Sequence, residues 1–81
     1  KLSVYPNPTN NSVNVVLSDM IGSDVQIQVT DASGRLVGSN EIENYQGQNL
    51  NFDLSNQAEG IYLIRVNADD KTAVSKVQLI R

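Results

Sequence analysis

Apolar and polar residues alternate along most of this chain with a period of two, the spacing that sends successive side chains to opposite faces of a β-strand. Val13, Val15 and Leu17 share one face of Ser12–Leu17, and Val25, Ile27 and Val29 share one face of Asp24–Thr30. Leu50, Phe52 and Leu54 repeat the pattern in Asn49–Leu54, all three predicted inward. Two shorter strands are predicted at Leu2–Tyr5 and at Arg35–Ser39, the latter carrying Leu36 and Val37. One stretch departs from simple alternation: Gly60-Ile61-Tyr62-Leu63-Ile64-Arg65-Val66 is nearly continuous in apolar and β-branched residues. That composition predicts a central strand with both faces largely covered.

The breaks between these runs have their own chemistry. Pro6-Asn7-Pro8 stops the first strand, because each proline fixes φ and lacks an N–H. Ser18–Ser23 is a loop whose Met20 and Ile21 are predicted to cover one end of the core. Asp31-Ala32-Ser33-Gly34 has aspartate first and glycine fourth, the types favoured in a type I turn, and Gly34 is predicted at positive φ. Glu41–Gln48 is polar around Ile42 and Tyr45 and reads as either an irregular edge strand or a loop. Ser55–Gly60 is predicted as a compact corner, one helical turn capped by Ser55 and ended by Gly60. Beyond it, Thr72–Arg81 returns as the hairpin partner of the Gly60 strand. With the turn centred on Asp69-Asp70, Val66 faces Ala73, Ile64 faces Ser75 and Tyr62 faces Val77 on the core side. Arg65 with Val74, Leu63 with Lys76 and Ile61 with Gln78 then fall outside. A one-residue slip would bring Lys76 to the core side, so this register is the one expected.

About seven short strands with turn signals every 8–12 residues predict an all-β fold, a sandwich or a barrel. The immunoglobulin-like antiparallel β-sandwich is favoured, since Leu54 and Gly60-x-Tyr62 resemble the corner where a tyrosine hydroxyl bonds back to the upstream backbone. Tyr62 is therefore expected to be buried, with its hydroxyl bonded between Leu54 and Gly60. Roughly sixteen inward apolar side chains, at about 1.5–3 kcal/mol each, suffice for a core without metal or disulfide.

Composition narrows the chemistry. At 81 residues the chain makes one domain, residues 1–81. It opens at Lys1 without a methionine, which is expected of a piece cut from a larger protein and equally of a processed terminus. Cysteine and histidine are both absent, which removes disulfides, thiolate metal sites and the commonest general base. The carboxylates lie mostly in turns and Asp31–Gly34 lacks the repeated acids of a calcium loop, so neither an enzyme nor a cofactor is expected. The net charge of −3 argues against a nucleic-acid partner, and no apolar run is long enough to span a membrane. The charge is unevenly spread: residues 1–64 set Lys1 and Arg35 against seven acids, whereas residues 65–81 set four cations against Asp69 and Asp70, net +2. Carbohydrate binding needs exposed aromatic rings; with Phe52 and Tyr62 assigned to the core, Tyr5 and Tyr45 are the candidates. The outer face of the last hairpin carries Ile61, Leu63, Val74 and Ile80 among Arg65, Lys76 and Gln78. That is a candidate docking surface, the seat of an upstream domain, or ordinary solvated surface on a lysine-protected edge.

Taken in order, Val4-Tyr5-Pro6-Asn7-Pro8, Asp31-x-x-Gly34, Gly60-Ile61-Tyr62-Leu63-Ile64-Arg65-Val66 and Lys76-Val77 with a basic terminal residue strongly resemble the type A C-terminal sorting domain of the type IX (Por) secretion system. The resemblance covers essentially the whole chain. It implies a seven-stranded immunoglobulin-like domain that directs a larger cargo protein across the outer membrane. The implied partners are the outer-membrane secretion machinery, a sortase-like peptidase that removes the domain, and the covalently linked upstream cargo. The implied route is the periplasm in transit, then the cell surface or the extracellular space, with cleavage at or upstream of Lys1. Matched by position, the signature residues are Tyr5, Pro6, Asn7, Pro8, Gly60, Tyr62, Lys76, Val77 and Arg81. An accessory carbohydrate-binding or adhesive module of a surface protein is the competing expectation.

Overall fold

The computed structural model describes residues 2–81; Lys1, and with it the expected cleavage position, lies outside the described residues. Seven strands follow one another: β1 Leu2–Tyr5, β2 Ser12–Leu17, β3 Val25–Asp31, β4 Leu36–Ile42, β5 Leu50–Asp53, β6 Gly60–Ala68 and β7 Lys71–Leu79. They form two antiparallel sheets, ordered β1-β2-β5 and β4-β3-β6-β7, the immunoglobulin-like sandwich with three strands facing four.

Strand parity decides what is inside. Val13, Val15 and Leu17 from one sheet meet Ile27, Val29, Ile64 and Val66 from the other, all fully buried. The final hairpin has the expected register, with Tyr62 opposite Val77, Ile64 opposite Ser75 and Val66 opposite Ala73. Only that register keeps Val77 and Leu79 buried while Lys76 stays in water. β6 is central, between β3 and β7, but only one of its faces is covered: Leu63 is 37% exposed and Arg65 is exposed. The near-continuous apolar run therefore overstated its burial.

Three further expectations are corrected. β4 continues past Ser39 to Ile42, paired with β3 through a bulge at Val29/Thr30, because pairing with a central strand overrides its weak apolar pattern. Met20 closes one end of the core but Ile21 is 59% exposed. The Ser55–Gly60 corner forms no helical turn; Gln57 N–H bonds to Leu54 C=O, and Asp53, not Ser55, supplies the capping oxygen by accepting from Ser55 N–H at 2.9 Å.

Gly34 has φ +92, as the Asp31 turn requires. Asp31 Oδ1 accepts from Ser33 N–H (3.0 Å), Ser33 Oγ (2.7 Å) and Arg35 N–H (2.9 Å), and Oδ2 meets Arg35 Nε at 3.0 Å. The Ser33 hydroxyl first, then the Arg35 N–H, hold the Asp31 carboxyl down at about 2. Because the folded value lies below the unfolded one, about 3.9, this carboxylate contributes stability that is complete above pH ~4 and lost as pH falls towards 2. Thermal unfolding followed across that window is expected to decline with acidity, and Asp31→Asn is expected to flatten part of the decline; an identical slope in the variant would refute the assignment.

Candidate functional site

The two ends of the chain meet along the outer edge of β7. After β1 the chain leaves its own sheet and crosses to the other. Asn7 lies beside β7, where its Nδ2 donates to Lys76 C=O (3.0 Å) and its Oδ1 accepts from Gln78 N–H (3.1 Å). A side-chain amide presents an N–H group and a C=O group side by side, like a peptide unit, so Asn7 occupies the place of a neighbouring strand. Thr9 then takes over with its backbone: its N–H donates to Gln78 C=O (2.9 Å) and its C=O accepts from Ile80 N–H (2.8 Å), a parallel bridge to Leu79. Proline on either side of Asn7 removes competing donors, so the segment pairs through a side chain where its backbone cannot. The Tyr5-Pro6 and Asn7-Pro8 peptide bonds are cis.

Thr9 is buried, and its hydroxyl donates to Ser12 C=O at 2.6 Å while accepting from Asn11 N–H at 3.2 Å. In the sequence its only signal is a β-branched residue directly after a proline.

The other signature residues gather at the corner before β6. Tyr62 is buried and its hydroxyl donates to Ala58 C=O, as expected. Gly60 has φ +153 with open space where a Cβ would stand, so its identity answers to backbone conformation rather than crowding. Arg81 reaches the same corner: Nη2 donates to Leu54 C=O at 3.1 Å and to Gln57 C=O, while its N–H donates to Glu59 Oε1 at 2.9 Å. This terminal cation thus ties down carbonyls of a corner more than twenty positions upstream, a structural part that charge counting did not suggest. Lys76 is exposed and Val77 fully buried. So Asn7 is brought to Lys76, while Tyr5 bonds instead to Asn14 and Asn49; Gly60, Tyr62 and Arg81 stand around the neighbouring corner, and the Asp31 turn is separate.

The arrangement offers little to reaction chemistry. Among the described residues no group of three carboxylates could hold a metal ion, and no buried side-chain polar atom lacks a partner. The two candidate tyrosines for sugar stacking also lie in unlike settings. Tyr45 is fully buried; its hydroxyl accepts from Leu17 N–H (3.2 Å) and donates to Gln48 C=O (2.7 Å), and its backbone bonds to Gly22 and Ser23. It belongs to the core, because a polar loop with no periodicity folds around its one large ring. Tyr5, 46% exposed, is the remaining open ring among the described residues, too little for a stacking platform.

Sequence comparison decides among the remaining readings. The family described as "Secretion system C-terminal sorting domain" matches residues 3–80. The chain belongs to this family. A comparison with curated proteins gave no match. The sorting domain is the C-terminal signal for type IX secretion, acting with that machinery to carry an attached cargo protein across the outer membrane to the surface or beyond. The matched span includes Tyr5–Pro8, Gly60, Tyr62 and Lys76–Val77 and stops one residue short of Arg81.

Proposed function

We propose that the address of this sorting domain is composite, formed where Asn7 joins the Tyr5, Pro6 and Pro8 segment to Lys76, with the buried Val77 anchoring β7 beneath it. Gly60, Tyr62 and Arg81 hold the adjoining corner in shape. The observation that supports this is the double hydrogen bond from the Asn7 side chain to the Lys76 and Gln78 backbone, which joins two segments distant in sequence into one surface. On this reading residues 1–81 act as a single non-enzymatic domain that needs no cofactor. It passes through the periplasm with its cargo, is recognised by the outer-membrane machinery, and is then removed by a sortase-like peptidase.

A reporter carrying a secretory signal and this domain tests the reading in a Gram-negative host with the type IX machinery. Lys76 has no structural partner through its ammonium among the described residues, so Lys76→Ala is expected to impair surface arrival while shifting stability by less than about 0.5 kcal/mol. Asn7→Ala is expected to impair it as well, by uncoupling the two segments. Normal surface arrival of both variants would overturn the composite address. Failure of the unmodified domain to export the reporter would overturn the claim that residues 1–81 suffice.

A further inference from the structure

The outer face of the β4-β3-β6-β7 sheet has a layout of which the composite address uses only Lys76. Register places Gln28, Arg65 and Val74 in one row across β3, β6 and β7, and Thr30, Leu63 and Lys76 in the next. The β6 and β7 positions therefore alternate in both directions: Arg65 lies beside Val74 and Leu63, and Lys76 lies beside Leu63 and Val74. Arg65 and Lys76 sit diagonally, a separation of roughly 7–8 Å in an antiparallel pair, with no ion pair or hydrogen bond to either side-chain cation among the described residues. Leu63 is 37% and Val74 52% exposed. The Asp31–Arg35 turn borders this face, so that Gln28, Thr30, Gly34, Leu63, Arg65 and Val74 enclose a groove of about 230 Å³.

Two like charges held near one another without counterions, on a chain of net −3, leave a local positive potential that an anionic partner would relieve. The aliphatic pair between them disfavours a fully hydrated anion and favours a ligand with apolar side chains of its own. Along either strand a cation and an aliphatic residue stand two positions apart, and same-face side chains of an extended peptide share that spacing. We infer that this groove, with Lys76 in the row beside it, binds an extended peptide bearing an acidic and an aliphatic residue two positions apart, the carboxylate on Arg65 or Lys76 and the aliphatic group on Leu63 or Val74. The inference names a partner chemistry for the sorting domain and rests on the sorting reading only for where that partner is met.

Titration of the isotopically labelled domain with a synthetic octapeptide alternating Ser-Glu-Ser-Val tests it without the secretion machinery, so its failure would leave the export assay unaffected. Saturable amide shifts are expected at Gln28, Arg65, Val74 and Lys76. A peptide with lysine in place of glutamate is expected to bind at least tenfold more weakly, and the Arg65→Glu/Lys76→Glu variant is expected to reverse that preference. Val74→Ser, which keeps both charges, is expected to weaken binding severalfold. Should the charge-reversed variant not fold, weakening of the wild-type complex between roughly 0.05 M and 0.5 M salt reports the same electrostatic contribution. Equal binding of the two peptides, shifts confined to another face, or a Val74→Ser variant that binds like wild type would each overturn the inference.

Discussion

Replacing Tyr45 by alanine is expected to cost about 3–5 kcal/mol, the range for deleting a large buried ring, and to lower the unfolding midpoint by about 4–8 °C for each kcal/mol. The ring is fully buried and its hydroxyl serves Leu17 N–H and Gln48 C=O together. Alanine would therefore open a cavity, strip a partner from a β2 amide and release the loop that carries the ring. Tyr45→Phe separates these effects, since it keeps the ring and removes only the hydroxyl; about 1–3 kcal/mol is expected for the buried groups left without it. Chemical denaturation of both variants at constant m-value is the measurement. A loss below about 1 kcal/mol for alanine would mean that the loop packs elsewhere.

Tyr62→Ala is expected to have a comparable cost, about 3–5 kcal/mol, but a different signature. Tyr62 sits in β6 opposite Val77 and is tied through its hydroxyl to Ala58, so its removal disturbs the wall against which the terminal strand lies. Tyr62→Phe leaves Ala58 C=O, on an exposed residue, within reach of water, and about 1 kcal/mol is expected. Amide exchange separates the two sites. Tyr62→Ala should raise exchange at Val77 and Leu79 before the β1-β2-β5 sheet opens, whereas Tyr45→Ala should raise it first in β2. Uniform acceleration across both sheets in both variants would show that the ring contacts do not divide the fold in this way.

The contrast between these tyrosines also shows what was readable in the chain. Tyr62 lies in a run whose parity and preceding corner both specify its place, so its burial and its hydrogen bond were legible. Tyr45 lies in a segment with no period, and parity has nothing to act on there; its partners Leu17, Gly22, Ser23 and Gln48 surround it only in the folded chain. The β6–β7 register was legible because a slip would bury a lysine. The edge that Asn7 and Thr9 complete was not, because their partners are contributed by residues about seventy positions later and Asn7 acts through a side chain in a proline-flanked turn. For the same reason Arg81 read as a free terminal charge, while its acceptors are carbonyls of the Leu54–Gln57 corner. The family resemblance rested on ordered short motifs; the structure adds that the first and last of them are neighbours.

The pairing of Asn7 and Thr9 with β7 has a temporal side. A chain synthesised from its N-terminus presents Pro6–Thr9 long before Lys76 and Gln78 exist, and β1, β2 and β5 can associate in the interval. A product truncated anywhere ahead of β7 has the opening motif but no strand for Asn7 to read. Bonds spanning 69 and 71 positions therefore close only on a chain synthesised as far as β7, so this edge stays open until the strand carrying Lys76 and Gln78 is present.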